Sequence, residues 1–175
     1  MAQQPRHGGY GGHRVGGGAP GGGPRRDEAT SREPSAEFKA LLEGISLAQP
    51  AADLFDAVAE KIARTLRPSA SHGPNKRTQV RRFYDEMLRF RMRLPEARAP
   101  DGPDEDFARA LPFLRMLNAR AAYAAERKGE GGTLVTTEFT AFLRRLLDQV
   151  SDRRTLANAC TMFEAVIGFL PPDKG

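Results

Sequence analysis

Between Asn75 and Arg93 the chain reads NKRTQVRRFYDEMLRFRMR, with seven Lys or Arg against two acids, Asp85 and Glu86. This local excess of five equals the formal net charge of the whole 175-residue molecule, +5, so the remaining residues sum to zero. The charge is ordered as well as concentrated. At 3.6 residues per turn, Val80, Phe83, Tyr84, Met87, Phe90 and Leu94 share one helical face. Arg82, Arg89 and Arg93 form a narrow stripe opposite, with the two acids at its flanks. A helix that buries one face and shows arginines on the other is suited to hold a phosphate backbone, because each planar guanidinium offers two-point pairing with phosphate oxygens. A solvated polar face is the plainer reading of the same pattern. Arginine outnumbers lysine along the entire chain, so the placement of these residues carries more weight than their type.

Catalytic and metal chemistry find little to stand on. His7 and His13 lie in a glycine-rich arm and His72 in a proline-bounded loop; no two histidines share a helical face, and the single cysteine, Cys160, has no partner for a metal site or disulfide. Cys160 falls on an apolar helical face with no His nearby in sequence, which reads as a core thiol rather than a nucleophile. KGEGGT (128–133) is glycine-rich and precedes a helix, but it lacks the Gly-Lys-Ser/Thr ending and the preceding strand of a Walker loop. Asp104, Glu105 and Asp106 are acids where a helix N-terminus favours them for its dipole alone. The reading is of a protein that is no enzyme and carries neither metal nor cofactor.

These residues must be positioned by helices. Residues 1–34 hold ten of the eighteen glycines and almost nothing apolar, so they are expected to form a disordered Gly/Arg-rich arm, bearing Arg6, Arg14, Arg25 and Arg26. Residues 35–175 then make a single domain with one ordinary core. Ser35 caps a possible short helix with Phe38, Leu41, Leu42 and Ile45. Pro50 opens a second helix carrying Leu54, Phe55, Val58, Ile62 and Leu66. Asn75 is the expected cap of the basic helix, which Pro95 ends. Asp104 caps a helix along Phe107, Leu111, Leu114 and Leu117, in which Pro112 predicts a kink or a new start, and an alanine-rich run follows. Thr136 or Thr137 caps a helix with Phe139, Leu143, Leu146 and Val150. Ser151 is the expected cap of the last, with Leu156, Cys160, Phe163, Ile167 and Leu170 inside. No segment alternates like a strand. The fold class is all-α, a compact bundle of about five main helices with a possible extra helix before them. No apolar run is long enough to span a bilayer, and the N-terminus lacks a secretory core, so a cytoplasmic location is expected.

Three segments, in order, resemble the small subunit of type III-A CRISPR effector complexes, the Csm small-subunit family. Thr78-Gln79-Val80-Arg81-Arg82-Phe83-Tyr84 is similar to the family's cap–Gln–aliphatic–Arg–basic–Phe–Tyr signature. LNARAAYAAERK (117–128) is similar to its Tyr-Ala-Ala-Gly-Arg region, with Glu126 where that pattern has Gly. FEAVIGF (163–169) resembles its closing block. The resemblance covers roughly residues 51–170 and leaves the arm without a counterpart. It implies a non-catalytic building block that stacks in several copies beside Cas7-like backbone subunits, in a complex whose signalling chemistry belongs to a large polymerase-like subunit. The implied ligands are target single-stranded RNA and guide RNA, gripped through phosphates without sequence preference, because guide pairing reads the sequence.

From the matched motifs come Arg81, Arg82, Lys76, Arg77, Arg120, Arg127 and Lys128 as candidate RNA contacts; Arg89 and Arg93 follow from the stripe. Tyr84 and Tyr123 could stack on bases, although core packing is the plainer role for both. Phe83 and Phe163 are assigned to the core. Arg91 projects toward the apolar side, where it could snorkel, pair with an acid such as Glu164, or meet a neighbouring subunit. Alternatives remain: a helix-turn-helix regulator or a small subunit of another CRISPR type, a small helical enzyme, or an adaptor that binds only protein.

Overall fold

A computed structural model describes residues 33–68, 73–96, 103–127 and 133–173. The expectations for His7, His13 and His72, for Lys128, for most of KGEGGT and for all but the last two residues of the arm (1–34) lie outside these residues. Six α-helices follow in order: α1 Ala36–Glu43, α2 Ala59–Leu66, α3 Arg77–Arg93, α4 Glu105–Glu126, α5 Thr137–Asp148 and α6 Arg153–Phe169. No strand occurs among the described residues. The five main helices and the short one before them are thus all present. The second begins differently from expectation: Leu54–Val58 form a π-helical turn that runs into α2.

α6 is the axis of the core. It buries Thr155, Leu156, Ala159, Cys160, Met162, Phe163, Val166 and Ile167, and α2 and α3 pack against it. α5 lies against α4, α1 and α2. The interior is aromatic where α3, α5 and α6 meet. Phe163 touches Tyr84, Phe139 and Phe142 edge-on or tilted at centroid distances of 5.9, 6.1 and 5.6 Å, and Phe83 leans on Phe139 at 5.1 Å. Phe163 is fully buried and Phe83 half-buried.

The caps show how side chains stop and start these helices. Ser35, Asp104 and Thr136 accept from the third following amide, as their types and positions predict. Two expectations are corrected. α6 is capped by Asp152, whose carboxylate accepts from Thr155 N at 2.7 Å, while Ser151 stands one residue too early. The cap position of α3 is held by Lys76, not Asn75. Lysine has no acceptor, so the capping falls to other groups: Asp173, at the far end of the chain, accepts from Arg77 N at 2.7 Å and Thr78 N at 3.0 Å.

Asn75 is instead a buried hub. Its φ of 60° is a left-handed conformation that asparagine tolerates better than most residues. Its amide donates to Leu66 O and Thr136 Oγ1, its side-chain oxygen accepts from Thr136 N, and its backbone N–H donates to Leu134 O. One residue thereby joins the end of α2 and the starts of α3 and α5. Arg145 plays a similar part, donating to the carbonyls of Leu42, Glu43 and Ile45 at and just beyond the C-terminus of α1.

α4 passes through Pro112 without a break, and Pro112 faces solvent. The proline ends nothing because it lies on the exposed side, opposite the row Phe107, Leu114, Leu117, Ala121 and Ala124 that anchors the helix. Arg153 clamps the start of α4 to the start of α6 by pairing with Asp104. That hydrogen bond, with the one from Phe107 N, holds the Asp104 carboxyl below its ordinary range.

Candidate nucleic-acid interface

α3 and α4 run antiparallel. The start of α3 meets the end of α4 through Leu134, which accepts from Asn75 N and donates to Ala124 O. Halfway along, Arg120 of α4 pairs with Glu86 of α3. At the other end, Arg93 and Leu94 share a cleft with Asp106 and Ala110. Candidate residues from two separate sequence segments therefore come to one side of the bundle: Arg82, Arg89 and Arg93 from α3, Arg120 and Arg127 from α4.

The cleft between the two helices encloses about 630 Å³. Arg89, Arg93 and Arg120 line it together with Phe90, Phe113 and Met116. Arg82, Arg89 and Arg93 are exposed, and none of the three has a carboxylate partner among the described residues; Arg89 donates only to the carbonyl of Asp85, at 3.1 Å. Glu86, at the edge of the stripe as expected, lines the cleft and pairs with Arg120 of α4.

Other candidates sit apart. Arg81 lies about 100° around the helix from Arg82. It pairs with Asp85 at 3.7 Å and faces the Tyr84 side. Lys76 and Arg77 belong to the end of the bundle where Asp173 receives the first amides of α3. Burial pushes the Asp173 carboxyl up, but hydrogen bonds from Thr78 and Arg77 together outweigh it and leave the group below its ordinary value.

Tyr84 and Tyr123 separate. Tyr84 is buried against Phe163, and its hydroxyl meets Glu164; burial, then that carboxylate, raises its pKa. Core packing holds for it. Tyr123 is 66% exposed, which overturns the core reading. Arg91 reaches Cys160 rather than Glu164. Cys160 is a core thiol: burial pushes it up to about 11, with Arg91 opposing and Glu164 adding to the rise.

The sequence reading also passed over Phe113 and Met116, which are 69% and 55% exposed. Both fall outside the buried row of α4, and a helical wheel of that segment would have shown two large apolar residues on the wrong face. Among the described residues no group of His, Cys, Asp and Glu is arranged to hold a metal ion, and no helix is long and apolar enough to cross a membrane.

No curated protein and no solved structure matches the chain. The family model described as Csm2 Type III-A matches residues 49–170, a span that includes α2 to α6, both helices of the cleft and all three recognised motifs. The chain thus belongs to the Csm2 Type III-A family, the non-catalytic small subunits of type III-A CRISPR complexes.

Proposed function

We propose that this small subunit grips RNA through the α3–α4 side of its bundle. The single observation that carries the reading is the convergence on that side of arginines from two helices, three of them without a carboxylate partner among the described residues. Held on a rigid scaffold, they neutralise phosphates and release counterions without touching base edges. The ligand is target single-stranded RNA, alone or paired with guide RNA, and its sequence is left to guide pairing. Lys76, Arg77 and Arg127 extend the contact at the end of the bundle, Arg81 extends it along the flank, and Lys128 contributes a further charge.

In the assembled complex several copies act in a row, so weak single-copy binding gains from avidity. Contacts with further copies, with Cas7-like backbone subunits and with the large polymerase-like subunit use other surfaces. Met92, 75% exposed on the flank away from the cleft, and Phe169 are apolar side chains suited to such contacts. The protein works in the cytoplasm, with no membrane partner.

Replacing Arg82, Arg89 and Arg93 together by alanine tests the reading. Affinity for single-stranded RNA should fall and the salt slope should drop by about two units, roughly 0.7 for each of the three phosphate contacts removed. Unchanged affinity with helicity intact would contradict it.

A further inference from the structure

α4 carries a second pattern beyond its buried row. Arg109, Phe113, Met116, Arg120, Tyr123 and Arg127 follow at steps of four, three, four, three and four. At 3.6 residues per turn these six lie in one straight stripe, about 27 Å long. All six are exposed. The stripe forms the solvent edge of the α3–α4 cleft, since Phe113, Met116 and Arg120 also line that cleft, facing Arg89 and Arg93. Large apolar side chains standing in water on a helix already anchored by its other face call for a ligand.

The interleaving decides which kind. An apolar protein partner would have to bury Arg109, Arg120 and Arg127 beside the aromatics, and desolvating those charges is costly. A second copy laid symmetrically on the stripe would set arginine against arginine. A polyanion with flat apolar faces fits both components. Phosphates meet the guanidinium groups, and bases lie on the rings. A duplex fits only the charges, because its bases are stacked on one another and unavailable.

We propose that the Arg–aromatic stripe of α4 and the adjoining cleft form a site for single-stranded RNA whose unpaired bases stack on Phe113 and Tyr123 while Arg89, Arg93 and Arg120 hold the phosphates between. The inference rests on the RNA-binding reading above and narrows it: paired RNA engages the charges alone, and unpaired RNA engages charges and rings. Met116 lies between the two rings along the stripe and supplies a flexible, polarisable apolar contact.

The test uses the full chain and three probes: a labelled single-stranded RNA, the same strand annealed to its complement, and Phe113→Trp as a reporter in a protein that has no tryptophan of its own. Single-stranded RNA should quench the Phe113→Trp emission and the duplex should leave it unchanged. Phe113→Ala with Tyr123→Ala should weaken single-strand binding by at least tenfold, since one lost stack is worth roughly 5- to 150-fold, and weaken duplex binding less than twofold. Tyr123→Phe, which keeps the ring, should restore most of the loss at that position. Both side chains are exposed, so circular dichroism should show unchanged helicity.

Single-strand affinity within twofold of the parent in the double alanine variant overturns the stacking site while leaving the charge-based grip intact. Loss of self-association in that variant, with RNA binding unchanged, overturns it in favour of a contact between copies. Failure of the parent to bind either RNA at low salt removes the RNA-binding reading itself.

Discussion

α3 and α6 are both 17 residues long, yet they serve opposite ends. α6 buries eight of its residues, whereas α3 buries only Val80, Tyr84 and Met87. The first packs against α2, α3 and the π-helical turn; the second rests on α6 and leaves a cleft toward α4. Substitutions along α6 should therefore register as lost stability, and those on the outer faces of α3 and α4 as lost binding.

Phe163→Ala should sharpen that contrast most. The residue is fully buried at the centre of the aromatic cluster, and such a truncation costs about 3–5 kcal/mol, readable by denaturant titration. An effect below 1 kcal/mol would mean that α6 is not the axis. Asn75→Ala comes next. It strands the Leu66 carbonyl and the Thr136 amide in a buried place, and the loss should be about 2–3 kcal/mol although no apolar contact is removed.

Asp173→Ala probes the start of α3 and should cost about 1 kcal/mol at pH 7. The folded-state pKa of Asp173 lies below its ordinary value of 3.8. Its contribution is then complete above the unfolded value and disappears as pH falls through the folded one. The stability difference between parent and variant should accordingly be constant at neutral pH and shrink as pH falls below 3.8; a difference that does not shrink in acid would show that the carboxylate is not its source.

Glu86→Gln tests the other member of the comparison. It frees Arg120 from its partner on the cleft wall, so RNA affinity should rise severalfold and the salt slope should grow by about one unit, while stability changes by less than about 1 kcal/mol because the pair is partly exposed. Weaker RNA binding would mean that the pair shapes the cleft rather than competing for it. The smallest expected effect belongs to residues 1–32. With almost no apolar residue to bury, their deletion should leave the melting temperature unchanged within about 2 °C.

Periodicity made the architecture legible. The expected inner faces of α5 and α6, Phe139, Leu143, Leu146 and Val150, then Leu156, Cys160, Phe163, Ile167 and Leu170, are all buried. A 3.6-residue repeat records burial directly. What escaped depends on the third dimension. Asn75 has the composition of a helix cap, and only the approach of Leu66 and Thr136 makes it a hub. Asp173 caps a helix nearly a hundred residues away, which no local pattern encodes. Arg81 and Arg82 are neighbours in a motif but occupy different faces. The cleft was half visible: the α3 stripe could be read from spacing, but the arginines of α4 came from a family motif, and their arrival opposite Arg89 and Arg93 needed the antiparallel pairing. Phe113 and Met116 are hidden by the repeat itself, which records the apolar residues that agree with the buried row and not those that depart from it.

The most direct test of the central claim is equilibrium binding of several unrelated single-stranded RNA sequences to the full chain across a salt series. If about five phosphates are engaged, all sequences should bind with similar affinity, and that affinity should fall roughly a hundredfold between 50 and 200 mM salt. Absence of binding at low salt, or affinities that depend on sequence and hardly on salt, would contradict an RNA grip built from the arginines of α3 and α4.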